Sequence, residues 1–315
     1  MPFIFRKFLS LLNNYMHLFE FMSKIGNKMK MIRDLFNISS RNDDTLGICL
    51  SGGAALGFAH IGVLQSLEDH GIYPTHIVGS SMGAIVGTLY AAGFTPKEML
   101  QMIKDDKLYK ITTLMTFRAG FLRSGLSAHT ILRALIRELI PHNSFEQLKK
   151  KMHVCVVNLN TAEWEIISSG NKLDKWVAAS ASIPGLFETI KQDGTNYVDG
   201  GVLNNMPAQG IKQFCQTIIG VDVIPQKAPT ELKKPIDTLA FAVRATQHQN
   251  SKEGRNLCKY LIEPQAIEEF NEFSFDAYLA IYQHGYSAAT KYILENPEMM
   301  KLGKIPTALA PQHVI

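Results

Sequence analysis

Cysteine, tryptophan and net charge are all scarce in this chain of 315 residues, and each scarcity excludes something. The four cysteines, Cys49, Cys155, Cys215 and Cys258, stand far apart, with no CxxC pair and no His/Cys cluster. That spacing builds neither a zinc site nor a disulfide scaffold, so the expectation is no metal, no cofactor, and reduced core cysteines in a cytoplasmic protein. Internal repeats and low-complexity tracts are missing too, which removes solenoid and linker-rich architectures. The formal charge is only +4, and residues 1–33 hold six basic side chains against Glu20 alone. The remaining body is close to neutral, which argues against nucleic acid as a partner.

What is present is a core. With 46% apolar and 19% charged residues, the composition fits one large globular domain, placed at residues 45–300 between a basic, partly apolar extension (1–44) and a tail (301–315). The extension alternates Phe3, Phe5, Phe8 and Leu9 with Arg6, Lys7, Asn13 and Asn14, too broken a pattern to span a bilayer. Two readings stay open for residues 1–33. One is a helix lying on an anionic membrane surface, giving peripheral contact with the inner membrane face; the other is a frayed extension whose true start is Met29 or Met31.

The stretch Gly79-Ser80-Ser81-Met82-Gly83 organises the rest. Before it, Thr75-His76-Ile77-Val78 has the β-branched content of a short buried strand; after it, Ala84, Ile85, Leu89 and Ala92 recur at helical spacing until Gly93. A G-x-S-x-G turn from strand to helix is a nucleophile elbow: the glycines remove colliding Cβ atoms and the tight turn pushes the serine Oγ outward. The helix then aims its free N–H groups at that oxygen. Ser81 is the candidate nucleophile, with Gly79 and Gly83 supporting it. The competing reading is a glycine turn whose serine only caps the helix.

Leu46 to Leu50 reads as the first strand, running straight into Ser51-Gly52-Gly53-Ala54-Ala55-Leu56-Gly57 and then a helix with Phe58, Ile61, Leu64 and Leu67 on one face. Ala54 stands where G-x-G-x-x-G needs its second glycine, and no Lys-Ser/Thr follows, so neither a dinucleotide loop nor a P-loop fits. With short right-handed crossovers, strands one and two end side by side, which brings the Gly52, Gly53 and Ala54 amides toward Ser81 as an oxyanion hole. His60, inside the helix, is expected to be a packed histidine.

Further on, helices are expected over Pro96 to Asp105 and Ala128 to Ile140, with Leu108 to Ser127 between them as a lid over an apolar cleft or a packed loop. Met152 to Asn158 and Glu163 to Ser168 read as a strand pair, and Leu173 to Ser182 as a helix entering the apolar loop Ile183 to Phe187. Asp193-Gly194 has the form of a hairpin turn, while Asp199 sits at the tip of a strand through Tyr197-Val198, followed by Gly200 and Gly201. An acid at a strand end is the available proton acceptor for a serine, so Asp199 is chosen over Asp193. A strand at Thr217 to Val223, a helix with Ile236, Leu239, Val243 and Thr246, a short strand at Lys259 to Ile262 and a closing helix with Phe275, Leu279, Tyr282, Tyr286, Ala289 and Ile293 complete the body. His248, His284 and His313 follow Asp199 in order, but none adjoins a strand-end glycine turn.

Three ordered blocks, Ser51 to Gly57, Gly79 to Gly83 and Asp199 to Gly201, together resemble the patatin-like phospholipase family over roughly residues 46–225. Ala179-Ser180 with Ile183 to Phe187, and Asn205 with Pro207, look like its secondary signatures. The resemblance implies an α/β, three-layer α/β/α fold with a mostly parallel sheet, and hydrolysis of acyl esters of phospholipids or lysophospholipids by a Ser81–Asp199 dyad. The oxyanion hole would be Gly52, Gly53 and Ala54, with Gly57, Gly79, Gly83, Gly200 and Gly201 in support. Two departures stand out: Ala54 and Leu56 replace a usual glycine and a usual basic residue. A free aspartate, with its pKa near ~3.9, is a poor base at neutral pH, so the dyad requires Asp199 to be desolvated. The alternatives are an acyltransferase working through the same acyl-enzyme, an inert lipid-binding protein, and a Ser-His-Asp esterase.

Overall fold

The computed structural model describes residues 45–105, 128–224 and 235–303. The chain divides into units Met1–Asp43 and Asp44–Ile315, and the described residues belong to the second. The expected membrane-surface extension, the lid at 108–127, His313 and most of the tail lie outside them.

Strand β1 (Leu46–Leu50) is buried throughout because both its faces are covered: Leu46, Ile48 and Leu50 enter a large core and Cys49 a smaller one on the opposite side. The same alternation divides Ile77 from Val78 in β2 (His76–Gly79) and Ile219 from Ile218 in β7 (Thr217–Val221). A strand buried on both faces belongs inside a layered α/β protein. The large core takes in α1 (Phe58–Asp69), α2 (Met82–Ala92) and α8 (Tyr278–Glu295). The smaller is closed by Met206, Ala208 and Ile211, with Leu257 from α7 (Lys252–Leu257) packed against it. The architecture is therefore three-layered α/β/α, with one thick and one thin outer layer.

Among the described residues eight strands form one sheet, in the order β5 (Ile190–Gln192), β6 (Thr195–Asp199), β3 (Lys151–Asn158), β2, β1, β7 and β8 (Tyr260–Ile262), with β4 (Glu163–Ile167) paired to β3. Pairings among β3, β2, β1, β7 and β8 are parallel; those of β4, β5 and β6 are antiparallel. Asp193 and Gly194, both at positive φ (48° and 83°), make the tight turn between β5 and β6, as a D-G hairpin requires. The remaining helices, α3 (Pro96–Lys104), α4 (Ala128–Leu139), α5 (Leu173–Ser180) and α6 (Pro235–Asn250), fall on the segments expected to be helical. No helix among the described residues is long and apolar enough to cross a membrane.

One detail of register positions the site. Residues Val156 to Asn158 of β3 pair with both β4 and β6, and Val154 pairs with both β4 and β2. A strand has only two edges, so β2 and β6 must share the edge opposite β4. Strand β2 occupies it up to Gly79, paired with Val154, and β6 takes it over at Asp199, paired with Val156. Where the first strand turns out of the sheet, the other delivers its last residue.

Candidate active site

Ser81 stands at that handover. It links β2 to α2 with φ 53° and ψ −125°, a left-handed conformation that costs a non-glycine residue about 1–3 kcal/mol and persists only where its surroundings enforce it. The enforcement is visible on both sides. A Cβ on Gly79 would lie 2.5 Å from the Gly83 backbone, and one on Gly83 would collide with the carbonyls of Leu50, the last residue of β1, and of Ser51 just after it. Ser180 at the end of α5 accepts the Ser81 N–H in its hydroxyl (3.0 Å) and donates to the Cys155 carbonyl (2.6 Å), tying the turn to β3.

The Ser81 side chain lies beside the Asp199 carboxylate, close enough for its hydroxyl to favour the ionised acid, and both residues line one cleft. Both residues are 3% exposed. Asp199 accepts the Gly201 N–H at 2.7 Å, and its own N–H donates to the Ser182 carbonyl at 3.1 Å. A Cβ on Gly200 would press on the Cys155 carbonyl at 2.5 Å, so the chain closes tightly behind the acid. Burial pushes the Asp199 pKa up to about 7, against the opposing pull of the neighbouring Ser81 hydroxyl and the Gly201 N–H. The carboxyl is thus poised to take and return a proton near neutral pH.

The glycine loop lies alongside, and one expectation needs correction. The Gly52 N–H is not a free donor: it bonds Asn205 Oδ1 at 3.1 Å, and Asn205 Nδ2 returns a 3.5 Å contact to the Gly52 carbonyl. Among the described residues no acceptor meets the Gly53 and Ala54 amides, and both residues line the same cleft as Ser81 and Asp199. The loop is held by its flanks: Ser51 Oγ accepts the Val223 N–H (3.0 Å), and the Ala55 N–H donates to the Glu272 carbonyl (3.1 Å). His60 donates from Nε2 to the Ser51 carbonyl at 2.8 Å; full burial lowers its pKa to about 4, leaving it a neutral prop. Gly57 leaves room for Met82, the first residue of α2. Leu56, where the family usually has a cation, is wholly buried in the large core and offers the cleft nothing.

Ala54 carries φ 46°. An L-residue there costs about 1–2 kcal/mol, and glycine would relieve it while adding roughly 0.4–1 kcal/mol of unfolded-state entropy. Ala54→Gly is therefore expected to leave stability unchanged or raise it by up to about 1.6 kcal/mol in thermal melts, and a clear loss would contradict the strain.

The cleft encloses about 830 Å³ of empty space, its solvent-facing mouth included, and its walls are mostly apolar: Ile183, Pro184, Leu186, Val202, Ile224, Val243 and Phe273. Its polar lining side chains among the described residues, besides the serine and the acid, are Gln247 and Glu272, the latter ion-paired with Arg244. No histidine among the described residues lines it; His284 pairs instead with Glu269 at 2.9 Å. Among the described residues no group of three His, Cys, Asp or Glu side chains is placed to hold a metal ion. Sequence reasoning did not single out Gln247 or Glu272. The available signal for Gln247 was its place four residues after Val243 on the helix stripe, a polar residue where an apolar one was due.

A strand–serine–helix elbow beside a buried carboxylate in a mostly apolar cleft marks the site of a three-layered α/β/α protein. The model of the patatin-like phospholipase family matches residues 48–211, just over half the chain. The chain belongs to that family. The lysophospholipase NTE1 of Saccharomyces cerevisiae is 29% identical over 181 residues, covering 56% of this chain and 11% of the yeast protein. An uncharacterized NTE family protein of Mycobacterium tuberculosis is 32% identical over 164 residues, covering 51% and 44%. The chain thus spans about a tenth of the yeast relative and under half of the mycobacterial one. Among solved structures, VipD from Legionella pneumophila aligns with TM-score 0.44 at 16% identity (81% of this chain, 68% of that one). Human GIVD cytosolic phospholipase A2 aligns with TM-score 0.42 at 10% identity (82% and 60%).

Proposed function

We propose that the chain is a serine acyl hydrolase that cleaves fatty-acyl esters of phospholipids or lysophospholipids through a Ser81–Asp199 dyad. One observation carries the reading: a serine on a strand-to-helix elbow and a buried carboxylate lie side by side in the lining of one mostly apolar cleft. Asp199 accepts the hydroxyl proton as Ser81 Oγ bonds to the ester carbonyl carbon. The developing oxyanion is received by the Gly53 and Ala54 amides, each such donor lowering a barrier by about 2.7–4 kcal/mol. Asp199 passes its proton to the departing glycerol oxygen, leaving an acyl-serine that water then hydrolyses. Ile183, Pro184 and Leu186 form the wall against which an acyl chain would lie. The lysophospholipase name of the yeast relative supports an ester of this class.

The test is direct. The purified chain, incubated with a mixed lipid extract, is expected to release free fatty acids and glycerol-linked alcohol products detectable by mass spectrometry, and a fluorophosphonate is expected to label Ser81. Label without free acid, but with acyl groups moved to an added alcohol, would make the protein an acyltransferase. Neither release nor label would make it an inert lipid binder.

A further inference from the structure

Gln247 is left without a task by the chemistry above. It sits on α6, beyond the stretch matched by the family, one helical turn after Val243, and both side chains line the cleft. Its Nε2 lies 2.9 Å from the point a Cβ would occupy on Gly201, and Asp199 Oδ1 lies 3.1 Å from that same point. The amide nitrogen and the carboxylate oxygen are therefore at most about 6 Å apart, a span that one water closes with hydrogen bonds of no more than about 3 Å each. A side chain on Gly201 would intrude between the two groups, and Asn205 Oδ1, 2.7 Å from the same point, borders the gap as a third polar atom. Among the described residues no hydrogen-bond partner meets the Gln247 side-chain amide, whereas Glu272, the other polar side chain on the wall, is committed to Arg244.

We infer that Gln247 and Asp199 together hold the water that hydrolyses the acyl-enzyme. The inference rests on the reading of Ser81 as the nucleophile and concerns the second half of the cycle only. In that half the water oxygen bonds to the acyl carbon while its proton passes to Asp199. The tetrahedral intermediate then collapses, the bond from Ser81 Oγ to the acyl carbon breaks, and Asp199 returns the proton to Ser81 Oγ as the fatty acid departs. Gln247 supplies the hydrogen bond that fixes the direction from which the water approaches. Formation of the acyl-enzyme uses no such water, so Gln247 serves deacylation and sets the balance between hydrolysis and transfer to another acceptor.

The experiment uses the full chain, with a p-nitrophenyl fatty-acyl ester as reporter and a short alcohol as competing acceptor. In Gln247→Leu, p-nitrophenolate release in a single turnover is expected to stay within about twofold of the unmodified chain, while steady-state hydrolysis falls by up to about 100-fold, the cost of a misplaced reactant. An initial burst should appear or sharpen, and a larger share of acyl groups should reach the alcohol. Should Gln247→Leu not fold, Gln247→Met gives the same readout. Single-turnover and steady-state rates falling together, or neither changing, would overturn the inference. Failure of the underlying reading looks different: the unmodified chain would then show no fluorophosphonate label on Ser81 and no ester turnover at all.

Discussion

Ser81→Ala and Asp199→Asn are each expected to abolish ester hydrolysis, lowering kcat by about 10⁴-fold or more, while Ser80→Ala leaves it largely intact. The two losses differ in kind. Alanine removes the atom that bonds to the acyl carbon. Asparagine keeps the shape and an oxygen able to accept from the Ser81 hydroxyl and the Gly201 N–H, whose bond to Asp199 is 2.7 Å, but it cannot take a proton. Fluorophosphonate labelling separates the cases: none with Ser81→Ala, and much slower labelling of Ser81 with Asp199→Asn. The double variant should be no worse than either single one, because two members of one proton-transfer unit are not additive. Ser80 lies next to the nucleophile, yet its hydroxyl is wholly buried and has no hydrogen-bond partner among the described residues. Normal turnover by Ser81→Ala would end the mechanism.

The second large effect is on pH. A base that must be ionised, with its pKa pushed up to about 7 by burial, predicts a kcat/KM that falls tenfold per pH unit on the acid side of neutrality. The same shift bears on stability. Between the unfolded value near ~3.9 and the folded value, the native state holds a proton that the unfolded chain has released. Stability therefore declines as pH rises through this window, and the full penalty is present above it. Asp199→Asn removes the penalty, so the variant should melt higher than the unmodified chain at pH 8, with the gain vanishing toward pH 4. At its upper bound the gain is about 4 kcal/mol, taking roughly three pKa units at about 1.4 kcal/mol each. Activity and stability measured on the same protein thus check the same carboxylate by opposite signs. An acid limb centred near pH 4, or a variant that melts lower at pH 8, would remove the desolvated base from the account.

Much of this was legible in the residue order because it is local. The elbow announces itself by glycines flanking Ser81 between a β-branched run and a helical period, and the structure shows why: a Cβ at Gly79 or Gly83 would enter neighbouring backbone. Asp199 was legible as an acid at a strand tip and Asp193-Gly194 as a hairpin turn, each from its nearest neighbours. What escaped depends on contacts far apart in the chain. The Gly52 amide looked free until Asn205, 153 residues away, was found bonded to it. Ser180 matched a family signature, but nothing near it in sequence indicates that its hydroxyl would receive the Ser81 N–H across 99 residues. The shared edge of β3 was equally hidden, because propensity marks strands without saying which neighbour each will take.

The end of α5 has a broader consequence. Within three residues, the Ser180 hydroxyl grips the backbone of the nucleophile and the Ser182 carbonyl grips that of the acid. The next residues, Ile183 and Pro184, are already cleft wall. Under the proposed mechanism, the wall that meets the acyl chain and the anchors of both reacting groups are thus carried on one short piece of chain. Evolution or engineering that reshapes the wall to suit another fatty acid must do so without moving its own anchor points, and drift in chain-length preference would be registered first as lost turnover.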